Sequence, residues 1–358
     1  MAIIVAVRSG NWSDTSHVTG PWPGETTPTT LPGAEDVADC GNYVVTIDGN
    51  ITAAELRNDG SGYFHITTEK TITCSLNPMA APYLLYHQAS TPLTIIGNIN
   101  LENASENCRG VESTSGNIFV TGNVTGGMRG GATAINKISG NVTVTGAAIS
   151  GSGGSAYAVS NSNGNITLIG ELTCGGATVL SAPNGRVVFS GNVVATGDAT
   201  IIYCNTCAII GNVDSQGASA PMTVLTGGSI TGNVIGGSTP GVSGLTGELT
   251  VVGNLYAGSA APAVDGGTVI LDGEAIFSAA SGYVPINGCL KMVNRPANTI
   301  TVVSSTNNPL TLSNDYPAEA DVKSGVEYNR GTMTGELATG GSIGPVSIVI
   351  GGGGIRIS

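Results

Sequence analysis

Carboxylates are the residues of this chain best suited by type to do chemistry. Glu171, Asp198, Asp214, Glu248, Asp265, Asp272 and Glu274 lie in its middle, and two such groups flanking a glycosidic bond supply the acid and the base or nucleophile of polysaccharide cleavage. Against this, Glu171, Glu248 and Glu274 are read into the slot directly after a recurrent glycine, where other repeats carry Asn98, Asn123, Asn192, Asn212, Asn233 and Asn254. There they are members of a polar ladder at a bend. Sugar sites also use stacking rings, and from Gly97 to Leu271 the aromatic residues are only Phe119, Tyr157, Phe189, Tyr203 and Tyr256. No carbohydrate platform is expected from that set.

The other reactive types give less. Cys204-Asn205-Thr206-Cys207 has the spacing of a redox or metal pair, but a single pair is a weak signal, and Cys207 falls at an inward position where a thiol packs as a small apolar group. His17, His65 and His87 are far apart and do not recur with carboxylates. The turns GGMRGGATA and GSGGSAYA lack the aspartate of calcium-binding β-roll repeats. The sequons at Asn50, Asn103, Asn123, Asn141 and Asn165 are by-products of a repeated phrase. The sequence therefore assigns no catalytic, cofactor-binding or metal-binding residue, and the expectation is a protein that is not an enzyme.

That repeated phrase is what must position everything else. SGNVTVTGAA at 139–148 returns as a marker glycine at Gly97, Gly122, Gly146, Gly170, Gly191, Gly211, Gly232, Gly253 and Gly273, at intervals of 20 to 25 residues. Four and two residues before each marker, and two after it, the residues are mostly Val, Ile and Leu, as in Val142, Val144 and Ala148. The residue three before is small or β-branched in most repeats, as in Thr143. This alternation is the signature of short strands, and the glycine lets the chain turn a corner. A further apolar strand precedes it, at Ala134-Ile135 or Tyr157-Ala158-Val159, so each unit holds about three strands and three bends. Glycine costs roughly 1 kcal/mol against alanine in a helix, which excludes helical repeats. The fold class expected is all-β, a right-handed parallel β-helix solenoid of about 11 coils, roughly 50 Å long at ~4.8 Å per coil.

Composition narrows the function. Charged residues are 10% of 358 and glycine accounts for 55, which points to an outer face partly buried in an assembly. A formal net charge of −12 argues against nucleic acid, which needs a basic footprint. Seven scattered cysteines do not make a disulfide framework. MAIIVAV at the start is too short for a signal peptide, and no run is long enough to span a membrane. The expected product is soluble and made in a cytoplasm.

Three segments follow: 1–48 as an N-terminal cap, 49–312 as the β-helix and 313–358 as a C-terminal attachment or oligomerisation module. The cap holds Trp12 and Trp22 and reads as irregular turns leading to a strand at 43–47. Between 49 and 90 the repeat is degenerate, with 78–87 read as a longer bend. The tail GPVSIVI followed by GGGG and IRIS is read as an edge for a neighbouring subunit.

The two ends carry a resemblance. The opening SGNWSDTS, PWPG, LPGAEDVADC and YVVTID resembles an N-terminal module at the head of phage and bacterial surface β-helices. The closing YPAEADVKSGVEYNRGTMTGEL, through Pro317, Ala318, Ala320, Asp321, Val322, Gly325, Tyr328, Thr334, Gly335 and Leu337, resembles an element near the C-terminus of tailed-phage virion proteins. The resemblance implies a structural protein of a bacteriophage virion, a capsid decoration protein, head fibre or tail fibre. A homotrimer that contacts other virion proteins is the implied assembly. Trp12, Trp22, Pro317, Asp321, Val322 and Tyr328 are the attachment or oligomerisation candidates. The alternatives are a tail fibre or tailspike that binds or cleaves host surface polysaccharide, with a host glycan as partner, and a bacterial surface adhesin.

Overall fold

The computed structural model describes residues 2–276 except 17, 24–29, 79–82, 129–130, 153–155, 196–198 and 218. Beyond these it describes the strand Ile286–Met292 and the short strands between 301 and 357 given below. The described chain is all-β and contains no helix. Its parallel strands stack as a β-solenoid of about 11 turns.

One coil shows how. Arg109–Ser113, Ile118–Thr121 and Val124–Thr125 are its three strands, and each pairs in parallel with its counterpart one coil on, so that Ile118, Val120 and Val124 face Val142, Val144 and Ala148. Each strand's N–H and C=O groups are thereby satisfied by the coils on either side. Because side chains alternate, the positions four and two before the marker and two after it point into the core. Leu93, Ile118, Val142, Ile166 and Val187 form one fully buried column.

The marker glycine is a steric requirement. At Gly211 φ is +148°, and a Cβ there would sit 2.0 Å from the carbonyl oxygen of Gly191 in the coil before. Only glycine tolerates both. The change of interval has a local cause. Earlier coils keep the two strands separate, as in Thr133–Ser139 and Val142–Thr145, whereas from Leu180 on the first two strands of each coil run together, as in Leu180–Ser190 and Ile202–Ile210.

The N-terminal segment contributes layers of its own. Ile3–Val5 pairs in parallel with Val37–Asp39, and Gly10–Asn11 with Val44–Thr46; the strand at 44–46 was expected, whereas Gly10–Asn11 and Val37–Asp39 fall where irregular turns were read. Trp12 and Trp22 lie inside these layers with ring centroids 4.8 Å apart, and the Trp22 Nε1–H donates to the Trp12 carbonyl at 3.0 Å. Trp12 also packs on Phe64 at 6.1 Å. The indoles plug this end of the core.

Tyr83–His87, read from the sequence as part of a bend, is a strand paired with Tyr63–Ile66 and Arg109–Ser113. At the far end Ile286–Met292 stacks in parallel on Val264–Asp272. The tail Ile348–Gly351 then pairs antiparallel with Gly288–Leu290 and turns back on Gly354–Ile357. It thus pairs with its own chain rather than waiting for a neighbour. Thr301–Val303 pairs antiparallel with Pro309–Thr311, and Glu327–Tyr328 with Met333–Thr334.

Candidate functional site

The sequence's candidate acids that the structure describes are spread over several coils. Asp214 sits between Val194 and Ile235 in its column and accepts a hydrogen bond from Gln216 at 2.8 Å. Asp265 pairs with Asn287, whose Nδ2 donates to it at 2.8 Å. Asp272 lies in register with Val252, on another strand set. Glu274 does occupy the asparagine slot, its N–H donating to Asn254 Oδ1 at 2.9 Å. Glu248 does not: it is in register with Gly227 and Thr268, five residues before its marker rather than directly after it. The fused strand that contains it hides that offset in the sequence. Asp198 lies outside the described residues. Asp272 and Glu274 flank Gly273 in one coil, while Glu171, Asp214 and Glu248 lie in other coils.

A triad-like group does exist, inside the coil. His87, Ser113, Lys137 and Asn161 form one column in consecutive coils, each fully buried. His87 Nδ1 and Lys137 Nζ lie 3.0 and 3.1 Å from Ser113 Oγ, which itself donates to the Ser115 carbonyl at 2.9 Å. Lys137 Nζ also donates to Ser115 O, and Asn161 Nδ2 to Gly140 O. The column serves the carbonyls of an inward-facing bend, and no substrate can reach the hydroxyl. Sequence reasoning missed it, although Ser113, Lys137 and Asn161 each stand nine residues before their marker glycine.

Burial has a price in protons here. Desolvation, with Lys137 adding repulsion, pulls the His87 imidazole from 6.5 to about 4, and desolvation pulls the Lys137 ammonium from 10.5 to about 8. Below pH 6.5 the unfolded chain takes up a proton that folded His87 refuses. The fold should therefore lose stability as pH falls from 6.5 to 4, by about 3 kcal/mol at about 1.4 kcal/mol per pKa unit. Denaturant titrations across that range should show the slope, and His87→Gln should flatten it.

The two cysteines of the Cys204–Cys207 pair are core residues. Cys204 and Cys207 are buried free thiols, and burial pushes both upward in pKa, Cys207 to about 12. Such thiols are inert. His17 lies outside the described residues.

What the fold does assemble is its outer surface. The residues three and one before each marker form two straight outward columns, Thr71, Thr94, Phe119, Thr143, Thr167, Val188, Ala208, Ser229 and Thr250 beside Thr73, Ile96, Thr121, Thr145, Ile169, Ser190, Ile210, Thr231 and Val252. Neither contains a charge over that span. Ile96, Ile169, Ile210 and Val252 are 42 to 63% exposed. Asparagines lock the register beside them: Asn192, Asn212 and Asn233 each accept the backbone N–H of the residue one coil on, at 2.9 Å.

No known family, curated protein or solved structure matches the chain.

A second surface feature lies on the early coils. Tyr63, Tyr83 and Tyr86 pack together with centroids 4.9 to 6.0 Å apart, and His65 stacks on Tyr86 at 5.7 Å. Burial and the neighbouring tyrosines push the Tyr83 phenol upward. Beside the rings, Glu112 accepts from Arg109 Nη1 and from Asn136 Nδ2, both at 2.8 Å. Tyrosine with arginine is the composition enriched at protein interfaces. The sequence reading passed over this ridge because it took Tyr83 and Tyr86 to lie in a bend. The signal was there in Tyr63-x-His65 and Tyr83-x-x-Tyr86.

Of the attachment candidates, Trp12 and Trp22 are 5 and 1% exposed and so present little surface to a partner. Tyr328 is in the Glu327–Tyr328 strand. Pro317, Asp321 and Val322 lie outside the described residues.

Proposed function

We propose that the chain is a non-enzymatic structural protein of a tailed-bacteriophage virion, a capsid decoration or fibre protein that acts as a homotrimer. The observation that carries the reading is the uncharged two-column face. In a chain of net charge −12, a flat face of threonine, isoleucine and valine about nine coils long is where a second, equally acidic copy approaches with least repulsion. Like side chains repeat along it at the coil spacing, so contacts made at one coil recur at the next. The motif-bearing ends add the resemblance to virion proteins, and the ladder of buried β-branched side chains supplies a rod stiff enough to decorate or extend a particle. Its partners are then other copies of itself and other virion proteins, and its place is the virion.

The test is to incubate the purified protein with purified capsids and, separately, with host polysaccharide. Cosedimentation with capsids and polysaccharide of unchanged length are expected. Protein that ignores capsids and shortens the polysaccharide would overturn the reading.

A further inference from the structure

The first layer of the solenoid is closed unevenly. Ile3–Val5 stacks on Val37–Asp39, with the Val37 N–H donating to the Ala2 carbonyl at 2.8 Å and the Ala6 N–H to the Asp39 carbonyl at 2.7 Å. In a parallel ladder each residue turns both its backbone groups to one side and its neighbours turn theirs to the other. Ala2, Ile4 and Ala6 therefore face the body of the rod, and Ile3 and Val5 face away from it. Further along, that outer side is covered: the Val7 N–H donates to the Pro21 carbonyl at 2.8 Å, and the Asn11 carbonyl accepts the Asp14 N–H at 3.0 Å. The N–H and C=O groups of Ile3 and Val5 take no partner among the described residues.

The side chains leave the same strand uncovered. Ile3 is 57% and Val5 43% exposed, and Val7 and Val18 are exposed at this end as well, whereas Ile4 packs against the core. The charge around them is one-sided. Residues 1–48 hold six carboxylates and one basic side chain, Arg8. Asp39 is ion-paired with Arg57, but Glu35 is exposed, and Asp36 stands at the start of the strand, where it accepts the Ala2 N–H at 3.1 Å.

We infer that this edge takes up an extended, basic segment of another protein as the next strand of the sheet. Open N–H and C=O groups at alternate residues are what an added strand satisfies. β-Branched side chains at every second position of the guest cover Ile3 and Val5, and lysine or arginine at its ends meets Glu35 and Asp36. The same end of a second copy is equally acidic and is repelled. The edge heads the strand set that runs from Ile4 through Ala38, Leu56 and Leu76 to Ile99, and the two uncharged columns lie on another set. The binding therefore goes beyond the proposed lateral assembly and does not rest on it.

The experiment is fluorescence anisotropy of the labelled peptide KVTVTVK, and of its twin EVTVTVE, with the intact protein. KVTVTVK should bind, EVTVTVE should bind roughly tenfold more weakly, and added salt should narrow the difference. Val5→Pro removes the outward N–H and none that the fold uses, a change that an edge strand accepts. Circular dichroism should stay the same while affinity for KVTVTVK falls roughly tenfold. Val5→Thr keeps the N–H and should bind like the wild type. Hydrogen exchange on the wild type needs neither variant: KVTVTVK should slow it at Ile3 and Val5. Absence of binding, equal binding of the glutamate-ended twin, full affinity in Val5→Pro, or exchange at Val5 that is not slowed would overturn the inference.

Discussion

Gly211→Ala should destabilise the solenoid by about 3 kcal/mol or more, because it combines a backbone strain and an overpacking cost that each run to a few kcal/mol. The added Cβ meets the Gly191 oxygen at 2.0 Å and its carbonyl carbon at 2.5 Å, and both are backbone atoms that no rotamer change can move. Relief requires the two coils to separate, which breaks the Gly191 N–H bond to the Ile210 carbonyl and the Val193 N–H bond to the Asn212 carbonyl along with it. Since each coil is held by its neighbours alone, a fault at the middle uncouples the two halves. Urea denaturation should show a lower midpoint and a broadened or split transition. Gly49→Ala is the control: no atom lies within 4 Å of its would-be Cβ, and the change should stay within about 1 kcal/mol.

Trp22→Ala should cost about 3 to 5 kcal/mol, the range for emptying a buried large aromatic site. The indole is 1% exposed, packs edge-on against Trp12, and donates to the Trp12 carbonyl. The loss should be local. In a quasi-one-dimensional stack, removing the plug frays the end coils first and leaves the middle intact. Hydrogen exchange should therefore accelerate at Val37–Asp39 and Val44–Thr46 while Val142–Thr145 keeps its protection. If the two tryptophans served attachment instead of packing, the substitution would leave exchange unchanged throughout.

The solenoid was legible because its corners demand glycine. A residue at φ near +148° under the preceding coil's carbonyl has no substitute, so the marker recurs wherever the corner does. Inward Val, Ile and Leu on either side then reveal the strands. Legibility failed where the partner of a residue lies one coil away rather than nearby in the sequence. Nothing local says that Ile3–Val5 stacks under Val37–Asp39, since that layer has no marker glycine and a long proline-rich excursion separates its strands. Tyr83–His87 was hidden because the prolines at 78 and 82 gave the segment the look of a turn. Glu248 was misplaced because two strands fuse there and a second glycine, Gly247, imitates the marker. The buried column from His87 to Asn161 was missed for a different reason: polar residues read as surface unless the carbonyls they serve are known.

The uncharged face was readable only in part. Thr143 and its counterparts were recognised as a small or β-branched column, but the neighbouring column of Thr145, Ile169 and Ile210 emerges only when the strands are laid in register. Together the two give the chain one face without charge, and the proposed assembly rests on that face.

Light scattering on the purified chain and on an Ile169→Glu/Ile210→Glu double variant tests this most directly. The two side chains are 56 and 63% exposed, so the variant should keep the wild-type circular dichroism. The account predicts a wild-type mass of three times 35.6 kDa and a variant mass near one copy. A wild-type chain that stays monomeric, or a variant that remains trimeric, would contradict it.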